Sequence, residues 1–136
     1  IQAIEEATQA SDSLKPVAIH LKRALDFMAD RKSPDYRNSI KESISAVEAG
    51  CKLLTGDSKA GLTEALRELK KNVSVHPALE KAFISMYGYT SDEHGIRHAL
   101  MDEPSLGFED AKFMLVSCAG FVNYLRAKVA KAGVRL

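Results

Sequence analysis

Apolar residues recur at steps of three and four along nearly the whole chain, and this spacing most constrains what it can fold into. The cleanest instance is Tyr36, Ile40, Ile44, Val47, Cys51 and Leu54, which fall on one stripe of a helix that Gly56 ends. Upstream, Leu14, Val17, Leu21, Leu25 and Met28 make a second stripe, with Pro16 suited to a first turn. The run "DRKSP" closes that helix, and Ser33 is the expected cap of the next, with Pro34 at its first position and Asp35 near the positive end of its dipole. Downstream, Leu62, Leu66 and Leu69 share a face, and a further helix restarts at Pro77 and is expected to bury Leu79, Phe83 and Met86 or Tyr87. A last helix is expected from about Phe108 to Lys128, apolar nearly all round in its middle, as a central bundle helix is. Ile1, Ile4 and Ala7 suggest a short peripheral or linker helix over residues 1–12. No run alternates strictly between turn signals, so no strand is expected. Amphipathic helices of this kind can hide their stripes only against one another, which makes the fold class an all-α bundle of five or six helices.

Composition sets further bounds. At 136 residues, 46% hydrophobic and 27% charged, the chain suits one globular domain over residues 1–136. A net charge of +1 offers no broad basic field for nucleic acid, so any such contact would need a local patch. Cys51 and Cys118 sit in apolar helical patterns without a Cys-x-x-Cys pair, which fits buried thiols in a reducing, cytoplasmic compartment. The longest apolar run, "FMLVSCAGFVNYL", is too short to span a bilayer, so no membrane partner is expected. The chain begins at Ile1 rather than Met, and a partner domain on its N-terminal side stays open.

Chemistry-bearing residues concentrate in two places. "SDEHGIRHALMDEP", Ser91 to Pro104, holds His94, Arg97, His98 and four acids. On a helix, His94, His98 and Asp102 would stack at i, i+4 and i+8, the spacing of a zinc site and hence of a metal-dependent hydrolase, although Gly95 weakens a helix there and no fourth ligand is implied. Arg97 also has a bland reading, a surface pair with Glu93 one turn back. The second place is "DYRNSIKESISAVE", where Arg37 and Lys41 lie one turn apart beside Asn38, Glu42 and Ser45. Two like charges at that spacing suggest acids nearby on another element, although a solvated polar face is the simpler account of them. Arg67, Lys70 and Lys71 form a third basic group that reads as a solvated face.

Taken together, these segments resemble the HEPN superfamily, and more narrowly the HEPN-type domain at the C-terminus of bacterial abortive-infection proteins. "SISAVEAGCKLLTG" is similar to the family's second core helix, with Glu48, Cys51 and Lys52 matching a Glu-x-x-Cys-Lys ending, and "GIRHALMDEPSLGFEDAKFMLVSCAGFVNYL" is similar to its last segment. The resemblance covers roughly residues 35–128. It implies an all-α homodimer acting in phage defence, with RNA as partner and no cofactor. Ribonucleases of the superfamily place an arginine, a polar residue and, five positions after the arginine, a histidine at the dimer interface, and need no metal. Arg97 matches the arginine and His98 the polar residue, while Asp102 stands where the histidine belongs. A carboxyl there accepts a proton poorly at neutral pH unless its surroundings raise its pKa.

Three functions follow as expectations. The first is an RNA-binding, abortive-infection-type domain with weak or lost metal-independent ribonuclease activity, using Arg97, His98 and Asp102 with Arg37, Asn38 and Lys41 as RNA contacts. The second is a non-catalytic dimerisation or interaction module serving a domain beyond this chain. The third is the metal-dependent hydrolase on His94, His98 and Asp102.

Overall fold

The computed structural model describes residues 14–59, 61–88 and 106–132. Five helices occupy them: α1 (Lys15–Ala29), α2 (Tyr36–Thr55), α3 (Leu62–Leu69), α4 (Pro77–Gly88) and α5 (Phe108–Lys131). Among the described residues there is no strand, and the architecture is the all-α bundle that the periodicity predicts.

Helix α2 is the hub, packing against α1, α3 and α5, while α1 also touches α5 and α4 leans on α3. Its stripe lies inward: Ile40, Ile44, Val47 and Cys51 are buried, and Tyr36 and Leu54 pack against the core from its edges. The side facing α1 carries small residues, which lets the two helices come close. Ser39 is fully buried there, and its hydroxyl donates to the Ala24 carbonyl at 2.7 Å. Ser43, also buried, returns its hydroxyl to the Ser39 carbonyl at 3.1 Å. Both hydroxyls are therefore satisfied, which buried polar groups require.

The ends of the helices are set by local chemistry. Asp30 closes α1: its Oδ1 accepts the N–H groups of Lys32 and Ser33 at 2.9 and 3.0 Å. Those two bonds, Ser33's first, hold the Asp30 carboxyl below the usual aspartate range. Asp35, not Ser33, caps α2, its Oδ1 accepting the Asn38 N–H at 3.0 Å. The backbone N–H of Asp35 donates to the Phe27 carbonyl at 2.9 Å, tying the end of α1 to the start of α2. Gly56 ends α2 in the left-handed region, φ 70°, where a side chain would be strained. At α5, Asp110 reaches back to the Gly107 N–H at 2.9 Å.

Three side chains depart from the expected pattern. On α1, Ala24 takes the inward position and Leu25 is exposed, because the stripe follows Val17, Leu21, Ala24 and Met28. On α4 no residue is fully buried, and Leu79 is 43% exposed. That helix is held along one edge, where the Phe83 ring packs on Phe121 with centroids 4.2 Å apart and on Tyr124 at 5.8 Å. On α5, Leu115, Cys118, Ala119 and Val122 face the core, yet Phe113 is 63% exposed.

Both cysteines are free and buried. Burial pushes each thiol up to about 12, with Glu48 and then Glu64 adding to the effect at Cys51. The folded protein should therefore react with a thiol-specific disulfide reagent at pH 8 far more slowly than the urea-unfolded chain, which should release two equivalents. Because unfolded thiols ionise near 9.0 and the folded ones only near 12, stability should fall as pH rises above 9. Leu115→Ala, at a fully buried position, should cost about 2–5 kcal/mol in a denaturant titration.

Candidate functional site

The start of α2 and the start of α5 come together at one end of the bundle. The Tyr36 and Phe108 rings meet edge to face with centroids 6.4 Å apart. Between these helix starts and the end of α1 opens a cleft of about 530 Å³, lined among others by Phe27, Asp30, Asp35, Tyr36, Arg37 and Leu106. Leu106, two positions after Pro104 in sequence, forms part of the wall of this cleft.

Each RNA contact expected on α2 has a definite place. Arg37 lines the cleft. Asn38 is committed to the helix start: besides its backbone bond, its Nδ2 donates to Asp35 Oδ2 at 2.7 Å. Lys41 sits half-buried one turn beyond Arg37. The preceding turn adds exposed Arg31 and Lys32. The acids of the cleft also serve the local structure: Asp30 Oδ1 accepts N–H groups of the turn and both Asp35 oxygens accept from Asn38, while each carboxylate keeps its charge. Arg97, His98 and Asp102, and with them His94, lie outside the described residues.

A second cleft of about 540 Å³ continues along the α1–α2 seam, lined by Arg23, Asp26, Phe27, Asp30 and Glu42. The two share Phe27 and Asp30 and so form one trough. Beside it His20 Nδ1 and Glu42 Oε2 are 2.6 Å apart, the short separation of a charge-assisted hydrogen bond. This pair joins α1 to α2 and fixes the imidazole's orientation, with 30% of the His20 side chain accessible. No local pattern announces it, because its members are 22 positions apart. The one available signal is that His20 is a polar residue on the flank of the α1 stripe, where only a residue from the next helix can partner it.

The basic group at the end of α3 behaves as a solvated face. Lys70 pairs with Glu80 at 2.9 Å and Lys71 with Glu68 at 3.0 Å, all but Glu80 strongly exposed. Among the described residues no three His, Cys, Asp or Glu side chains converge where they could hold a metal ion, and no helix is long and apolar enough to cross a membrane. No family model, curated protein or solved structure matches this chain.

A double-mutant cycle with His20→Ala and Glu42→Ala should give a coupling of about 0.5–1 kcal/mol at neutral pH, the range for a partly exposed pair. Additive single effects would show that the pair contributes nothing to the α1–α2 seam.

Proposed function

We propose that this chain is a HEPN-like domain of an abortive-infection-type phage-defence protein, that it works as a dimer, and that it engages RNA in the cleft where α2 and α5 begin. The observation that carries the reading is the meeting of Arg37 with Leu106 in one cleft. Arg37 and Leu106, far apart in sequence, line that cleft together at one end of the bundle. Arg37, Lys41 and the exposed pair Arg31 and Lys32 supply local cations that a net charge of +1 does not promise. Tyr36 and Phe108 add aromatic faces on which an unpaired base can stack. Arg97 and His98 complete the site in this reading, with Asp102 in the place of the family's histidine leaving cleavage weak or lost.

One observation favours the companion reading, a non-catalytic association module. The surface between α4 and α5 is a wide apolar groove with exposed Leu79 and Phe113 at its edges, more than a monomer needs to leave open.

Short single-stranded RNAs, titrated with chelator present, separate the two. Binding should weaken with salt, and Arg37→Ala should weaken it at low salt and reduce the log–log salt slope by about 1. Any cleavage should survive chelator and disappear in Arg97→Ala. Absence of RNA binding at low salt would leave the association module as the function.

A further inference from the structure

Helix α5 turns one face to the core and has another that no described helix covers. Glu109, Phe113, Gly120, Tyr124, Ala127 and Lys131 follow one another at helical spacing on that outer side. Phe113 is 63% exposed, Glu109, Ala127 and Lys131 are exposed, and Gly120 and Tyr124 are half-buried. Phe113, Gly120 and Tyr124 of this face, with Leu79, Ala82 and Met86 of α4 opposite, line an apolar groove of about 740 Å³, and Glu109, Ala127 and Lys131 continue the face beyond it.

Gly120 is the residue that its own fold does not explain. It stands in the middle of a 24-residue helix, where glycine weakens helix formation relative to alanine. A Cβ built on it would meet no described atom within 4 Å. Close approach of another backbone is the usual reason for such a glycine, since a helix can cross nearest where no side chain intervenes.

We propose that the groove is a self-association surface and that the helix lying across Gly120 is α5 of a second copy, antiparallel to the first. The helix itself argues for this occupant. A two-fold axis at Gly120 sets residue 120−k against residue 120+k, and Gly120 lies at the helix midpoint. Phe113, the large exposed knob, then meets Ala127, whose methyl is the smallest side chain of the outer face, seven positions on the other side. Glu109 meets Lys131 at eleven positions on either side. The first turn of α5 carries Glu109 and Asp110 and the last carries Lys128 and Lys131, so antiparallel pairing opposes unlike charges and unlike dipole ends at both termini. A parallel arrangement would set like against like.

This placement rests on the dimeric part of the reading above but departs from the superfamily's ribonucleases, whose two motifs meet at the dimer interface. Each cleft lies at the start of its own α5, so the pair holds the two clefts apart by about a helix length, on the order of 35 Å for 24 residues. RNA would then be bound at two separate places rather than in one shared active site.

Sedimentation velocity of the chain from about 1 to 200 µM tests it. Wild type should dimerise. Phe113→Glu and Gly120→Leu should be monomeric with unchanged helical circular dichroism, because both positions face outward. Gly120→Ala should act with opposite signs: a higher melting temperature at the lowest concentration and a weaker dimer. Glu109→Lys should raise the dimer Kd about tenfold, and adding Lys131→Glu should restore it. A monomeric wild type throughout, a dimer indifferent to Phe113→Glu and Gly120→Leu, or no rescue by the charge exchange would overturn the arrangement. RNA binding by monomeric Phe113→Glu separates the two proposals, since loss of the dimer need not abolish the cleft.

Discussion

A single helix, α2, is packed by α1, α3 and α5 at once, and the sizes of its side chains set how closely the three can approach. Where it meets α1 it carries Ser39 and Ser43, both fully buried and both hydrogen-bonded to carbonyls. Gly50 sits where α1 and α5 converge, and a Cβ there would come to 3.7 Å from Val17 and 3.8 Å from Val122. Larger residues at these positions would push α1 outward and strip Ile40, Ile44 and Val47 of part of their packing. The trough along the α1–α2 seam is a product of the same closeness. The backbones are near enough for Asp35 to bond Phe27, and for His20 to reach Glu42, and the remaining polar groups line the surface above.

Helix α5 divides the labour differently. Its inward residues, Leu115, Cys118, Ala119 and Val122, complete the core, Phe108 at its start packs on the Tyr36 ring, and Leu106 just before it lines the cleft. Of its outward residues, Tyr124 helps to hold α4 through Phe83, whereas Phe113 and Gly120 contribute little packing within the described chain. A large exposed ring at Phe113 and a glycine with open space above it are costs that intrachain packing does not offset. One helix therefore serves two surfaces, a polar one at its start and an apolar one along its length, and a partner laid on the second determines how far apart two copies of the first must be.

Much of the fold was legible in the sequence because helical packing writes itself as period. The stripe from Tyr36 to Leu54 and the stop at Gly56 stand where the spacing predicts, and so do Leu62, Leu66 and Leu69. What was not legible depended on geometry that period does not encode. Ser33 and Asp35 are both plausible caps, and the choice fell to Asp35 because it alone reaches the Asn38 N–H. Ala24 and Leu25 compete for one inward position, and the phase set by Val17 and Leu21 selects the smaller. Leu79 and Phe113 are apolar, yet they border a groove, since an apolar residue says only that burial is favourable and not that its own chain provides it. Of the candidate site, Arg37 and Lys41 were legible as a charged pair awaiting acids from elsewhere, whereas the His20–Glu42 contact arises only when α1 and α2 are brought together.

The claim at the centre of this account is that RNA enters the cleft between the starts of α2 and α5. Nuclear magnetic resonance of the labelled chain during titration with a short single-stranded RNA at low salt addresses it most directly. Amide shifts should concentrate at Arg31, Lys32, Tyr36, Arg37 and Lys41 and at Leu106 to Phe108, with the groove residues Leu79 and Ala82 unmoved. Shifts centred on the α4–α5 groove, or none at saturating RNA, would contradict it.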